Sequence, residues 1–142
     1  MTSHALAAAV AALHREAATL YTLIGREFDL TTQQAQLLCT LTSGRPSFSE
    51  LATTLGCDRT NVTGMIDRLE KRGLLARERD SKDRRVNRVT ATQDGEQLIA
   101  RLQERFAESV ADRFSRLTPE DHDRLAVLAT ALTPGAAPGS KH

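Results

Sequence analysis

Residues 58–92 read DRTNVTGMIDRLEKRGLLARERDSKDRRVNRVTAT. In this stretch Val62, Ile66 and Leu69 recur at spacings of four and three, with Met65 adding to the same side. One face of a helix over about 59–72 is therefore apolar. Asp58 stands where an N-cap belongs, and Gly73 where a left-handed residue commonly closes a helix. Two short strands are expected next, over 74–79 and 85–91, with Val89 and Ala91 alternating toward a core. The polar run Asp80-Ser81-Lys82-Asp83-Arg84 joins them as a hairpin tip.

Upstream, a short helix over about 49–55 carries Leu51, Ala52 and Leu55, and Gly56-Cys57 makes a tight turn into the next. Two short helices around a glycine turn, followed by a hairpin, form a winged helix-turn-helix. Further back, Thr31 with Gln34 gives a capping-box pattern for a helix whose core residues are Ala35, Leu37, Leu38 and Leu41. Ser43-Gly44-Arg45-Pro46 ends that helix. A long amphipathic helix over 4–27 precedes it, with Leu6, Val10, Leu13, Ala17, Leu20 and Ile24 on one stripe. Downstream, Thr92 caps a helix over about 93–116, striped by Leu98, Leu102, Phe106, Val110, Phe114 and Leu117. Thr118-Pro119-Glu120-Asp121 starts a last helix, with Pro at its first position and Leu125, Leu128 and Leu132 on one face. Residues 133–142 are rich in Pro, Gly and Ala and read as a flexible tail.

The fold class expected is mainly α with a small β-hairpin wing, in one domain over 1–142. The terminal helices carry more apolar stripe than one small winged domain can cover, and a second copy of the chain is the simplest partner for it. No apolar run approaches the roughly 20 residues of a membrane span. The stretch 5–13 has no positive residue ahead of it, and His14-Arg15-Glu16 continues its helical pattern, so a cytoplasmic protein is expected rather than a signal peptide.

Net charge is only +1 over 142 residues, yet it is unevenly placed. Residues 59–88 hold ten Lys/Arg against five Asp/Glu, so this segment is strongly basic and the remainder is acidic. Such a division suits a nucleic-acid reader; a solvated, salt-bridged surface would look the same at this level. A recognition helix presents its N-terminal residues to base edges in the major groove. Here those are Arg59, Thr60, Asn61, Thr63 and Gly64. Arg can bond bidentately to guanine, Asn to adenine and Thr to bases or phosphates, while Gly64 leaves room for close approach. Arg68 and Lys71 lie further along, at phosphate distance. On the hairpin tip Lys82, Asp83, Arg84 and Arg85 complete the candidate contacts. Either Arg84 enters the minor groove with Arg85 in support, or the reverse, and Asp83 can orient an arginine through a salt bridge.

From Leu30 to Gly95 the chain resembles the multiple-antibiotic-resistance regulator (MarR) family. Leu30-Thr31 with Gln34, Leu37, Leu38 and Leu41 is similar to the family's second helix, and Ser49-Glu50-Leu51-Ala52 with Leu55 to its third. Residues 58–74 resemble the recognition helix and its exit. Asp80-Ser81-Lys82-Asp83-Arg84-Arg85 resembles the wing, and Thr92 with Gly95 the start of the fifth helix. Ala91 stands where the family usually has Leu, and Ser81 replaces a common Pro. The resemblance implies a DNA-binding part over 31–92 and dimerisation helices over 4–28 and 93–132. It also implies a homodimer on a pseudo-palindromic double-stranded operator. Such a protein is usually a repressor, often released by a small phenolic or lipophilic effector. The family's pockets draw on the first, second and fifth helices, which singles out His14 and Tyr21, seven residues apart on the first helix. Dimer packing or plain surface is the simpler reading of each.

Other constellations point less far. Cys39 lies among leucines and reads as core. Cys57, in the turn before the recognition helix, is a candidate redox residue, although an inward apolar residue is also what such a turn needs. The relatives that sense oxidation usually carry their cysteine in the first helix, where this chain has none. His4, His14, His122 and His142 have no metal-ligand spacing, so neither a metal nor a cofactor is expected. No nucleophile–base pair, phosphate loop or paired-carboxylate motif suggests an enzyme. Two alternatives to a regulator remain at this point: a sequence-tolerant architectural DNA-binding protein, and an interaction module that keeps the fold without binding DNA.

Overall fold

The computed structural model describes residues 3–41 and 44–132. Its elements are α1 (Ser3–Glu27), α2 (Thr32–Thr40), α3 (Phe48–Leu55), α4 (Arg59–Lys71), β1 (Leu75–Arg79), β2 (Asn87–Ala91), α5 (Gln93–Arg113) and α6 (Pro119–Ala131). The chain divides into two compact units, residues 1–108 and 109–142. No helix among the described residues is long and apolar enough to cross a membrane.

Local chemistry sets the boundaries. Thr31 caps α2: its hydroxyl accepts from the Gln34 N–H at 3.1 Å, and the Gln34 side chain accepts from the Thr31 N–H at 3.0 Å. Both halves of the expected capping box are present. Helix α3 begins one residue earlier than its apolar pattern suggested, because Ser47 caps it by accepting from the Glu50 N–H. Gly56 and Gly73, at the turns that follow α3 and α4, both have positive φ. Asp58 has N-cap backbone angles, but its side chain makes no capping hydrogen bond.

The hairpin is antiparallel, with Leu75 opposite Ala91, Arg77 opposite Val89 and Arg79 opposite Asn87. These six residues share one face, since cross-strand partners and alternate residues point the same way. Two rungs of that face join a single core. Its members include Ile24 of α1, Leu37 and Leu38 of α2, Phe48 and Leu51 of α3, Val62, Ile66 and Leu69 of α4, Leu75 and Val89 of the hairpin, and Ile99 and Leu102 of α5. In α5 the buried residues are Gly95, Ile99 and Leu102. A stripe drawn at every fourth residue misses Ile99, because it drifts around a helix of 3.6 residues per turn.

The ends of the chain behave differently. Leu6, Val10, Leu13 and Leu23 of α1 are exposed, as are Leu117, Val127, Leu128 and Leu132. Helix α6 has no buried residue. Thr118 caps it by accepting from the Asp121 N–H, and a His122 ring nitrogen lies 2.8 Å from the Phe114 carbonyl.

Candidate nucleic-acid interface

Helix α4 is anchored by Val62, Met65, Ile66 and Leu69, all buried. The opposite side is therefore presented outward. Arg59, Thr60, Asn61, Arg68 and Lys71 are exposed, and Thr63 and Gly64 are half-exposed. The Thr63 hydroxyl donates to the Arg59 carbonyl at 3.0 Å, leaving its oxygen to accept from outside. Gly64 has no packing reason to be glycine: a Cβ there would meet only the Arg68 guanidinium, at 4.0 Å. A mid-helix glycine costs about 1 kcal/mol relative to alanine. The chain carries that cost at a point where its own atoms leave the space free.

Charge on this side is sorted by pairing. Arg77 contacts Asp67, lies 3.6 Å from Glu70 and stacks 5.4 Å from the centre of the Phe48 ring. It ties β1 to α4 and α3. Arg45 meets Glu78 at 2.7 Å. Arg88 donates to the Arg45 carbonyl at 2.8 Å and reaches Asp80 and Glu50 at 3.4 and 3.5 Å. Asp83 accepts from the Arg85 backbone N–H at 3.1 Å and from its guanidinium at 3.1 and 3.3 Å. Those hydrogen bonds, the side-chain ones first, hold the Asp83 carboxyl below its ordinary range. Every carboxylate of residues 59–88 thus has an arginine partner. Exposed pairs of this kind add little stability, about 0–1 kcal/mol each. Their larger effect is on the surface charge that remains. Of the ten cations of residues 59–88, the side chains of Arg59, Arg68, Lys71, Arg79, Lys82 and Arg84 have no hydrogen-bonded or ionic partner among the described residues, while Arg72 donates to the Asp29 carbonyl.

The wing arginines therefore differ. Arg85 is held by Asp83, while Arg84 is exposed and unpaired. Of the six unpaired cations, five are residues the sequence pointed to. Arg79 was not among them, and neither were Arg45, Arg77 and Arg88, whose pairings join residues distant in the chain.

The recognition helix is also fastened at its exit. The Thr92 N–H donates to the Leu74 carbonyl at 3.1 Å, and the Thr92 hydroxyl to the Gly73 carbonyl at 2.6 Å. A Cβ on Gly95 would fall 1.9 Å from the Leu74 carbonyl oxygen, so only glycine allows α5 to begin there.

Tyr21 and His14 sit in different surroundings. His14 is exposed, whereas Tyr21 is half-buried and stacks on Phe106 with ring centres 4.7 Å apart. Burial, and secondarily the nearby Cys39, raise the Tyr21 pKa. Burial also raises that of Cys39, which disfavours its thiolate. Neither His14 nor Tyr21 lines the cleft of about 670 Å³ bounded by Leu41, Arg45, Val89, Ala91, Ile99 and Gln103. Cys57 is half-buried and packs against the core. His142 lies outside the described residues, and no cluster of three or more metal-ligating side chains occurs among the others.

A model of the MarR family matches residues 30–86, which contain α2, the helix-turn-helix, β1 and the hairpin tip. The HTH-type transcriptional regulator YhbI of Bacillus subtilis is 30% identical over 123 residues, covering 86% of this chain and 80% of the relative. The chain belongs to the MarR family. A second Bacillus subtilis regulator of this type, YkoM, is 34% identical over 97 residues, covering 68% of this chain and 63% of the relative. Among solved structures, NadR in complex with 4-hydroxyphenylacetate superposes with a TM-score of 0.78 at 27% identity, covering 93% of this chain and 95% of that one. Members of the family are DNA-binding transcriptional regulators rather than enzymes, and this chain has their mainly helical winged fold.

Proposed function

We propose that the protein is a homodimeric, sequence-specific repressor that acts in the cytoplasm and binds a pseudo-palindromic operator. The observation that carries this reading is the charge sorting: each acidic side chain of residues 59–88 is neutralised internally, and six cations on one helix and one wing are left without partners. Arg59, Thr60, Asn61, Thr63 and Gly64 face base edges. Arg68, Lys71 and Lys82 meet phosphates, and Arg84 enters the minor groove while Asp83 braces Arg85. Phosphate contacts supply most of the affinity and base contacts the discrimination. The exposed apolar stripes of α1 and α6 support dimerisation. Two recognition helices related by a two-fold axis suit half-sites about one helical turn apart.

Release by a small effector is the second part of the reading. The cleft between the end of α2, the hairpin and α5 is of ligand size. The smaller residue at Ala91 lies in its wall, and NadR was solved with a phenolic acid. A ligand there would touch Val89 and Ala91 of the wing directly.

Selection of bound duplexes from a random pool at physiological salt tests the reading. A palindromic consensus, bound by two chains in sedimentation, is the expected outcome. Binding without enrichment would instead identify an architectural protein, and absence of binding an interaction module.

A further inference from the structure

Five of the six unpaired cations have a place in the contacts just described, and Arg79 does not. It ends β1, is exposed, and faces Asn87 across the hairpin. Among the described residues neither side chain has a hydrogen-bond or ionic partner. Strand alternation fixes which way Arg79 points. Arg77, two residues earlier, reaches Asp67 and Glu70 of α4, so Arg79 and Asn87 lie on the same face, the one turned toward the recognition helix.

Arg79 and Asn87 form the last rung of the hairpin, one step beyond the Arg77–Val89 rung and next to the tip that carries Arg84. On one side of it stand the groove-facing residues of α4, and on the other the hairpin tip with Arg84. A protein that reads a major groove with its helix and the neighbouring minor groove with its wing straddles one sugar-phosphate strand. Arg79 and Asn87 occupy the span between the two.

We propose that Arg79 and Asn87 form a clamp on that intervening backbone. The Arg79 guanidinium supplies charge to one phosphate, and the Asn87 amide supplies a neutral donor beside it. The proposal rests on α4 and the wing binding DNA. The same inner face that closes the core through Leu75, Val89 and Ala91 would grip the duplex at its last rung.

The test is affinity as a function of salt, on the duplex selected by the wild-type protein and on a duplex of unrelated sequence. Arg79→Ala is expected to weaken both by about tenfold at physiological salt, and to flatten the log–log salt slope by about 0.9 for each of two half-sites. Arg79→Lys should restore the slope. Asn87→Ala should weaken binding with the slope unchanged. A neutral methylphosphonate at the straddled position should weaken the wild type and leave Arg79→Ala unaffected. The thermal midpoint of each variant, measured alongside, should match the wild type, since neither side chain has an internal partner to lose. An unchanged slope and affinity for Arg79→Ala, with the wild type and Arg84→Ala behaving as expected, overturns the clamp alone. A wild-type protein that binds neither duplex overturns the DNA reading and the clamp together.

Discussion

The centre and the ends of this chain leave opposite needs unmet. From α2 to the first half of α5 the large apolar side chains gather in one core, and within residues 59–88 every acid is paired, so what that segment leaves outside is positive charge. In α1 before Leu20, and throughout α6, no side chain is buried, and what remains outside includes the aliphatic Leu6, Val10, Leu13, Val127 and Leu128. One region exposes unpaired cations over a buried core. The other exposes aliphatic side chains on regular helix. Because the two needs differ in kind, they respond to different perturbations: salt acts on the first, protein concentration on the second.

The comparison breaks most severely at Gly95. Gly95→Ala forces a methyl group into the Leu74 carbonyl, and should cost about 3 kcal/mol or more in chemical denaturation by driving α5 off the recognition-helix exit. Next, on the homodimer proposed above, the wild type should sediment as two chains and Leu13→Glu combined with Leu128→Glu as one, with the helical signal of the central fold kept. Dimers that persist would place the interface elsewhere. Arg84→Ala should weaken operator binding by about 1–2 kcal/mol without moving the melting midpoint, and unchanged affinity would remove the wing assignment. Gly64→Ala sharpens the comparison by separating folding from function. The helix should gain about 0.5–1 kcal/mol while the operator complex weakens. The smallest effect is expected from pH. Arg85 lowers the Asp83 pKa, so whatever that pair contributes is present above the ordinary Asp value of 3.8 and is lost only as pH falls below it. Affinity and wing conformation, followed by titration between pH 5 and 8, should therefore show no step from Asp83.

Much of the central fold was legible because its signals are local. Thr31 with Gln34, Gly56 after Leu55, Thr118 before Pro119, and the period of Val62, Ile66 and Leu69 each lie within one or two helical turns, and each acts where expected. Boundaries slipped where a neighbouring residue reached further. Ser47 extended α3 by one residue through Glu50, and β2 began at Asn87 rather than 85, since the Val86 N–H bonds to the Asp83 carbonyl within the tip. Asp58 took the N-cap backbone position without its side-chain bond, which composition cannot distinguish. Asp83 next to Arg85 could be anticipated from sequence. The pairings of Arg45 with Glu78, Arg77 with Asp67 and Arg88 with Glu50 could not, because they depend on which strand face meets which helix. Without them the basic segment looks uniformly charged, and Arg79 cannot be told from Arg77.

The seam between Thr92 and Leu74 has a bearing on how this architecture can vary. It fastens the two feet of the hairpin to each other through backbone atoms and the Thr92 hydroxyl. The wing is therefore a clasped cassette, closed at its base whatever happens at its tip. Doubling the length of a closed loop costs only about 0.6 kcal/mol. Residues added between Ser81 and Lys82 should lengthen the reach along a duplex while α4 and α5 keep their places, so wing length is a dimension in which such a protein can diverge without being rebuilt.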